Sequence, residues 1–358
     1  MNIDQTNLTY QQRTVAIQRL TALWAFSESG LGGIMHALQI PFTGLVVGGM
    51  SVIMIGFIAQ ISAHQYKEIL KSALIVLIIK AMVSPYTPFP AYIAVSFQAL
   101  SGFALFSLLR VNFGSILLLS MISMLESAIQ QLLILTLFLG RSFWKATDTF
   151  VAFVSKQFGT TTTKGSQWII SIYLLIYIIG AIGVAWTGWK TLSGFFDARF
   201  NEPNFDEAVN VSILPTTLVA KKNNTRKLWV VLFLLVALSV LMFFVAADAK
   251  KGWIAVAKTV SWTVASIMLW YMLVNPLLIK FIKWILQKKE SRYSEEISST
   301  LSFIPVLRQL TALAWRKSKL QKRGGRWYLF LSELIHSSLT YNEDSSKAGT
   351  VASFKKTV

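Results

Sequence analysis

The chain has 358 residues, of which 54% are hydrophobic, with a mean hydropathy of +0.55 and a formal charge of +18. Such an average, spread as apolar runs along the whole length, excludes an ordinary soluble domain and implies an all-α, polytopic helical membrane bundle. The runs are too continuous for a barrel, whose strands alternate over about 10 residues, and the lack of cysteine excludes disulfides and thiolate metal sites. In this setting the basic excess reads as the Lys and Arg of cytoplasmic loops and not as a nucleic-acid footprint.

Residues 1–20 are polar, carry Arg13 and Arg19, and read as a cytoplasmic tail without a cleavable signal. A span over 21–40 holds Glu28, His36 and the glycines Gly30, Gly32 and Gly33. Pro41 marks a tight return into a clean span over 44–61, with Gly44 and Gly48 in G-x-x-x-G spacing. That spacing fits close packing inside the monomer as well as dimerisation. A short span over 72–83 contains Lys80, which either pairs with a carboxylate or snorkels to the surface. Pro85, Pro88 and Pro90 set a stiff loop before a span over 92–109 that contains Gln98. The next span, 114–139, contains Glu126 and Gln130 at i and i+4.

Residues 141–167 form a polar linker whose apolar positions Phe143, Trp144, Phe150 and Val154 suggest an amphipathic surface helix. Three further spans are expected at 168–186, 228–247 and 260–279, the first with Gly180 and Gly183 as packing points. The total is about eight transmembrane helices, each of roughly 20 residues. The expected organisation is a tail at 1–20, a first bundle of about five helices at 21–140, the linker, a second bundle of about three at 168–286, and a basic cytoplasmic tail at 287–358. An even count puts both termini in the cytoplasm of a plasma membrane protein, where most of the Lys and Arg collect.

The tail carries an amphipathic stripe of Phe303, Leu307, Leu310 and Ala314 on a helix expected to start at Pro305, followed by Arg316, Lys317, Lys319, Lys322 and Arg323. Gly324 and Gly325 then permit reversal into a second amphipathic helix. This segment either rests on anionic lipid or docks a protein partner.

The polar residues inside the spans mark a candidate solute site at Glu28, His36, Gln98, Glu126 and Gln130, because a charge at membrane depth needs a partner or a cavity. The alternative is hydrogen bonding between packed helices. No P-loop, H-E-x-x-H or G-x-S-x-G sequence is present, and the histidines His36, His64 and His336 are scattered. No cofactor, resident metal or enzymatic activity is therefore expected. An intramembrane enzyme would need two of the polar groups at one reacting atom.

The segments AFSESGLGGIMHALQIPFTGLVVGG (25–49), the proline-rich loop at 85–90 and SFQALSGFALF (96–106) make residues 21–140 resemble a substrate-binding S component of an energy-coupling factor transporter. LSFIPVLRQLTALAWRKSKLQKRGG (301–325) is similar to the coupling helix of that family's T component, with Lys322, Arg323 and Gly324 where the family has Ala-Arg-Gly. The resemblance implies a compact bundle that binds a small solute, and a basic helix that sits on a soluble ATPase. The leading expectation is thus a permease-type subunit of a small-solute transporter, powered by a partner ATPase or an ion gradient. The alternative is a membrane scaffold or assembly factor working through its C-terminal tail.

Overall fold

The computed structural model describes residues 9–37, 42–84, 87–159, 164–197, 249–319 and 325–341. Every regular element among them is helical. In chain order these are α1 (Tyr10–Phe26), a π turn (Ser27–Leu31), α2 (Gly32–Ala37), α3 (Thr43–Ile61), α4 (Lys67–Val83), α5 (Phe89–Leu109), α6 (Phe113–Gln157) and α7 (Gly165–Asp197). They continue with α8 (Ala249–Leu269), a second π turn (Trp270–Val274), α9 (Asn275–Glu290), a 3₁₀ turn (Ser291–Tyr293), α10 (Ser294–Lys319) and α11 (Arg326–Thr340). Five of the described helical runs are long and apolar enough to cross a membrane: α3, α5, α6, α7 and the run from Val260. They mark the chain as a membrane protein. The expected span at 228–247 lies outside the described residues.

The chain divides into two compact units, one built from residues 1–127, 177–213 and 281–358 and the other from 128–176 and 214–280. In the first unit α3 is central. It packs against α1, α4 and α5, and 78% of its most apolar window is buried, against 33% for α5. Small residues let the neighbours approach. A Cβ on Gly102 would stand 2.6 Å from Ile55, and one on Gly48 would stand 3.1 Å from the Gln98 amide nitrogen. Gly44 faces Ser127 in the same way, so the G-x-x-x-G face is used within the monomer.

Several expected boundaries move, each for a local reason. Thr9 and Gln12 form a capping box, with Thr9 N donating to Gln12 Oε1 at 2.9 Å and Gln12 N to Thr9 Oγ1 at 3.4 Å. Helix α1 therefore starts at Tyr10, inside the stretch expected to be a tail. Helix α5 starts at Phe89, because Pro88 is its N-cap and Pro90 falls in the first turn, where no hydrogen bond is lost.

Helix α10 starts at Ser294 and not at Pro305, which sits in its interior. The apolar register holds on both sides of the proline, since Ile297 and Thr300 before it and Leu307, Leu310 and Ala314 after it are all buried. The gain from that burial outweighs the missing backbone donor. Helices α10 and α11 pack as a hairpin across α1. Arg19 Nη1 donates to the Leu339 carbonyl at 2.8 Å and its guanidinium lies 5.7 Å from the Phe303 ring centroid. Lys71 pairs with Glu296 at 3.0 Å, and Lys190 lies against Tyr328. The starts of α1 and α4, the end of α7 and the hairpin thus share one basic end of this unit.

In the second unit, residues 141–157 of the stretch expected to be a separate linker at 141–167 continue α6 beyond a kink at Gly140, where φ is 68°. Trp262 packs on that glycine and its indole donates to the Leu137 carbonyl at 3.3 Å. Gly159, with φ of 70°, closes α6. The Asp148 carboxylate then accepts from Ser166 N at 2.7 Å and caps the start of α7.

Candidate functional site

Glu28 sits on the π turn that interrupts the first apolar stretch, and its residue is only 6% exposed. The turn comes from the SESGL sequence, in which glycine and serine weaken the α-helical preference. π turns of this kind widen a helix locally and recur at functional positions. Lys80 reaches Glu28 from the last turn of α4, Nζ to Oε2 at 2.6 Å. Ser51 Oγ of α3 donates to Glu28 Oε1 at 2.6 Å, and Trp24 Nε1 donates to Ser51 at 2.9 Å. Lys80 also lies 3.5 Å from the Ala91 carbonyl. One carboxylate therefore joins the first helical run, α3 and α4, with α5 touching the ammonium.

This settles the fate of Lys80. At 3% exposure it is buried and paired, not snorkelled to the surface. Snorkelling would leave Glu28 as an uncompensated charge among apolar helices, at a cost of several kcal/mol. The signal for the pair lay in the sequence: Lys80 stands in an apolar run, and the acids at membrane depth were few.

Gln98 is 2% exposed and approaches α3 at Gly48, one turn before Ser51. The two polar contacts of α3 are therefore about 4.5 Å apart along its axis. Gln98 Oε1, Ser27 Oγ and Ser29 Oγ are buried without a hydrogen-bond partner among the described residues. The serines flank Glu28 on the π turn and were not among the expected site residues. Glu126 and Gln130 occupy successive turns of α6 and are partly buried. The side chains joined to Glu28 come from α3 and α4. His36 belongs to α2, and its side chain lies outside the described residues.

Glu28 itself is hydrogen-bonded across packed helices, to Ser51 of α3 and Lys80 of α4. A cleft of about 100 Å³ lies elsewhere, at the basic end, where Arg13, Gln18, Glu68, Lys71, Glu296 and Thr300 are among its lining. It has a polar floor, with Thr21 Oγ1 donating to Ser72 Oγ at 2.8 Å.

The apolar stripe of the tail is also not a free surface. Leu307 is 0% and Leu310 6% exposed, and Phe303 is packed against the same core. The stripe was expected to face a partner or lipid, but α1 and α11 bury it. Arg316, Lys317 and Lys319 are exposed, whereas Lys322 and Arg323 lie outside the described residues. No family model, curated protein or solved structure matches the chain.

Proposed function

We propose that the chain is the membrane subunit of a small-solute transporter and that the π turn carries its solute contacts. The observation that supports this is the neighbourhood of Glu28: a buried ion pair flanked by two hydroxyls and, beside α3 one turn from Ser51, the amide oxygen of Gln98 from α5, all three without partners among the described residues. Polar groups used only for packing are satisfied, and each buried exception calls for an explanation. A polar solute that accepts from the serines and donates to Gln98 supplies one. The pair itself carries no net charge, so the solute is neutral or zwitterionic. Solute sites at membrane depth are built on interrupted helices of this kind. Both termini are cytoplasmic, and a partner ATPase or an ion gradient supplies the energy, since the sequence has no nucleotide-binding motif.

The test is retention of solute by the purified protein, read by mass spectrometry of released small molecules, and uptake into vesicles. Glu28→Gln and Gln98→Ala are expected to lose the retained solute, and Glu28→Gln and Glu126→Gln to slow uptake. Unchanged uptake in both carboxylate variants would sink the site.

A second reading is favoured by the mutual satisfaction of Glu28, Ser51 and Lys80. In it these groups only hold the bundle together, and the chain is a scaffold or assembly factor. Purification in mild detergent separates the two, because a scaffold brings down a stoichiometric protein complex and no solute.

A further inference from the structure

The hairpin of α10 and α11 ends in an aromatic cluster that the fold does not cover. Trp315 and Trp327 are 41% and 69% exposed. Their ring centroids are 5.8 Å apart, and Phe330 stands edge-on to both, 5.7 Å from Trp315 and 6.2 Å from Trp327. Cations frame the cluster: Lys319 Nζ lies 5.9 Å from the Trp315 ring, and Arg316 and Lys317 are exposed beside it. Glu333, which pairs with Lys317, is the only acidic residue between positions 315 and 333.

The height of the cluster is fixed by α7. Tyr328, next to Trp327, packs its hydroxyl 3.4 Å from the place a Cβ on Gly194 would occupy. Lys190 Nζ is sandwiched between Trp186 at 5.0 Å and Tyr328 at 4.5 Å. Trp186 is itself 55% exposed about three turns before the end of a membrane-length helix, and tryptophan is enriched where hydrocarbon meets water. Tyr328 and its neighbour Trp327 thus lie beyond Trp186 toward the end of α7, on the side where headgroups would follow the hydrocarbon.

From this juxtaposition we infer that Trp315 and Trp327, with Arg316, Lys317 and Lys319, form a docking surface for the anionic headgroup layer of the bilayer that holds the protein. The charge complementarity is direct, and indole rings with one polar edge suit that layer. A protein partner fits less well. The stripe that would seat one is already buried against α1, and what the described residues leave exposed beside the cluster is rings and cations.

The chain has no cysteine, so a nitroxide on Gly325→Cys reports the tip alone. That glycine has φ of −120°, which any residue adopts. The labelled protein is placed in vesicles of phosphatidylcholine, in vesicles that also contain phosphatidylglycerol, and in detergent micelles. Accessibility of the label to a water-soluble nickel chelate is expected to fall several-fold in the anionic vesicles only. High salt is expected to restore it, and so are R316Q/K317Q/K319Q and W315S/W327S. Each cation removed should weaken the bound state roughly fivefold, from about 1 kcal/mol per Lys or Arg near the surface. The salt titration uses the unmutated tip and stands even if a variant folds poorly. Equal accessibility in the two vesicles overturns the proposal, because headgroup charge then has no role. Protection already present in micelles also overturns it and assigns the tip to a protein contact.

Discussion

At the scale of single residues, the Glu28–Lys80 pair dominates. Both groups are almost fully buried, and each is costly without the other. Lys80→Met is therefore expected to destabilise the protein by about 3–5 kcal/mol, read from thermal unfolding in micelles. Glu28→Gln with Lys80→Met should recover most of that loss. A fully additive double variant would show that the pair does not form. The partnerless hydroxyls behave differently. Replacing Ser27 and Ser29 by Ala removes two buried groups that hydrogen bonding leaves unsatisfied, and is expected to raise stability by about 1 kcal/mol or more. The same change should weaken solute retention. A gain in stability with no effect on solute would assign the serines to packing alone.

At the scale of elements, close approach and end contacts decide what each helix tolerates. Gly180 and Gly183 lie on the same helix, but only one is a packing point. A Cβ on Gly180 would stand 2.4 Å from Leu45, whereas nothing lies within 4 Å of one on Gly183. Gly180→Ala is expected to cost about 1–3 kcal/mol, and Gly183→Ala to be neutral or stabilising by up to about 1 kcal/mol. A differential thermal scan of the two variants checks both. The hairpin is tied to α4 through Lys71 and Glu296. Burial disfavours charge on each, yet the hydrogen bond between them prevails, holding the Glu296 carboxyl below its usual range and lifting Lys71 above its own. Their contribution is present at neutral pH. It is lost as pH falls through the lowered Glu296 value, and again as pH rises through the raised Lys71 value. Protease nicking of the tail should therefore accelerate at both extremes, and Glu296→Gln should flatten the acid limb.

At the scale of the whole molecule, orientation follows from where the cations gather. Arg13, Arg19, Lys71 and Lys190 share one end of the first unit with the tail hairpin, and this end is the cytoplasmic one in the proposed function. Gln65 lies just before α4 at that end, and Ser84 just after it at the other. A membrane-impermeant maleimide added to intact cells is expected to label Ser84→Cys and to spare Gln65→Cys until the membrane is opened. The reverse pattern would place the tail outside.

The sequence by itself determined the medium, the helical class and the two-helix amphipathic character of the tail, because these depend on local composition and periodicity. It also marked Glu28 and Gln98 as anomalies, since a polar residue in an apolar run is visible without knowing its neighbours. The capping box at Thr9 was equally local, but the polar composition of residues 1–20 read as a tail and hid it. Tertiary structure alone decided the rest. Lys80 meets Glu28 across 52 positions of sequence, and Ser51 meets it across 23. Gly180 differs from Gly183 only in what faces it. The stripe of Leu307 and Leu310 was evident as a stripe, but the surface it covers is α1, and Pro305 is carried inside α10 because burial on both sides holds the helix together. Periodicity states that a face is apolar. Which element covers it, and which polar group finds a partner, is set by packing between segments distant in the chain.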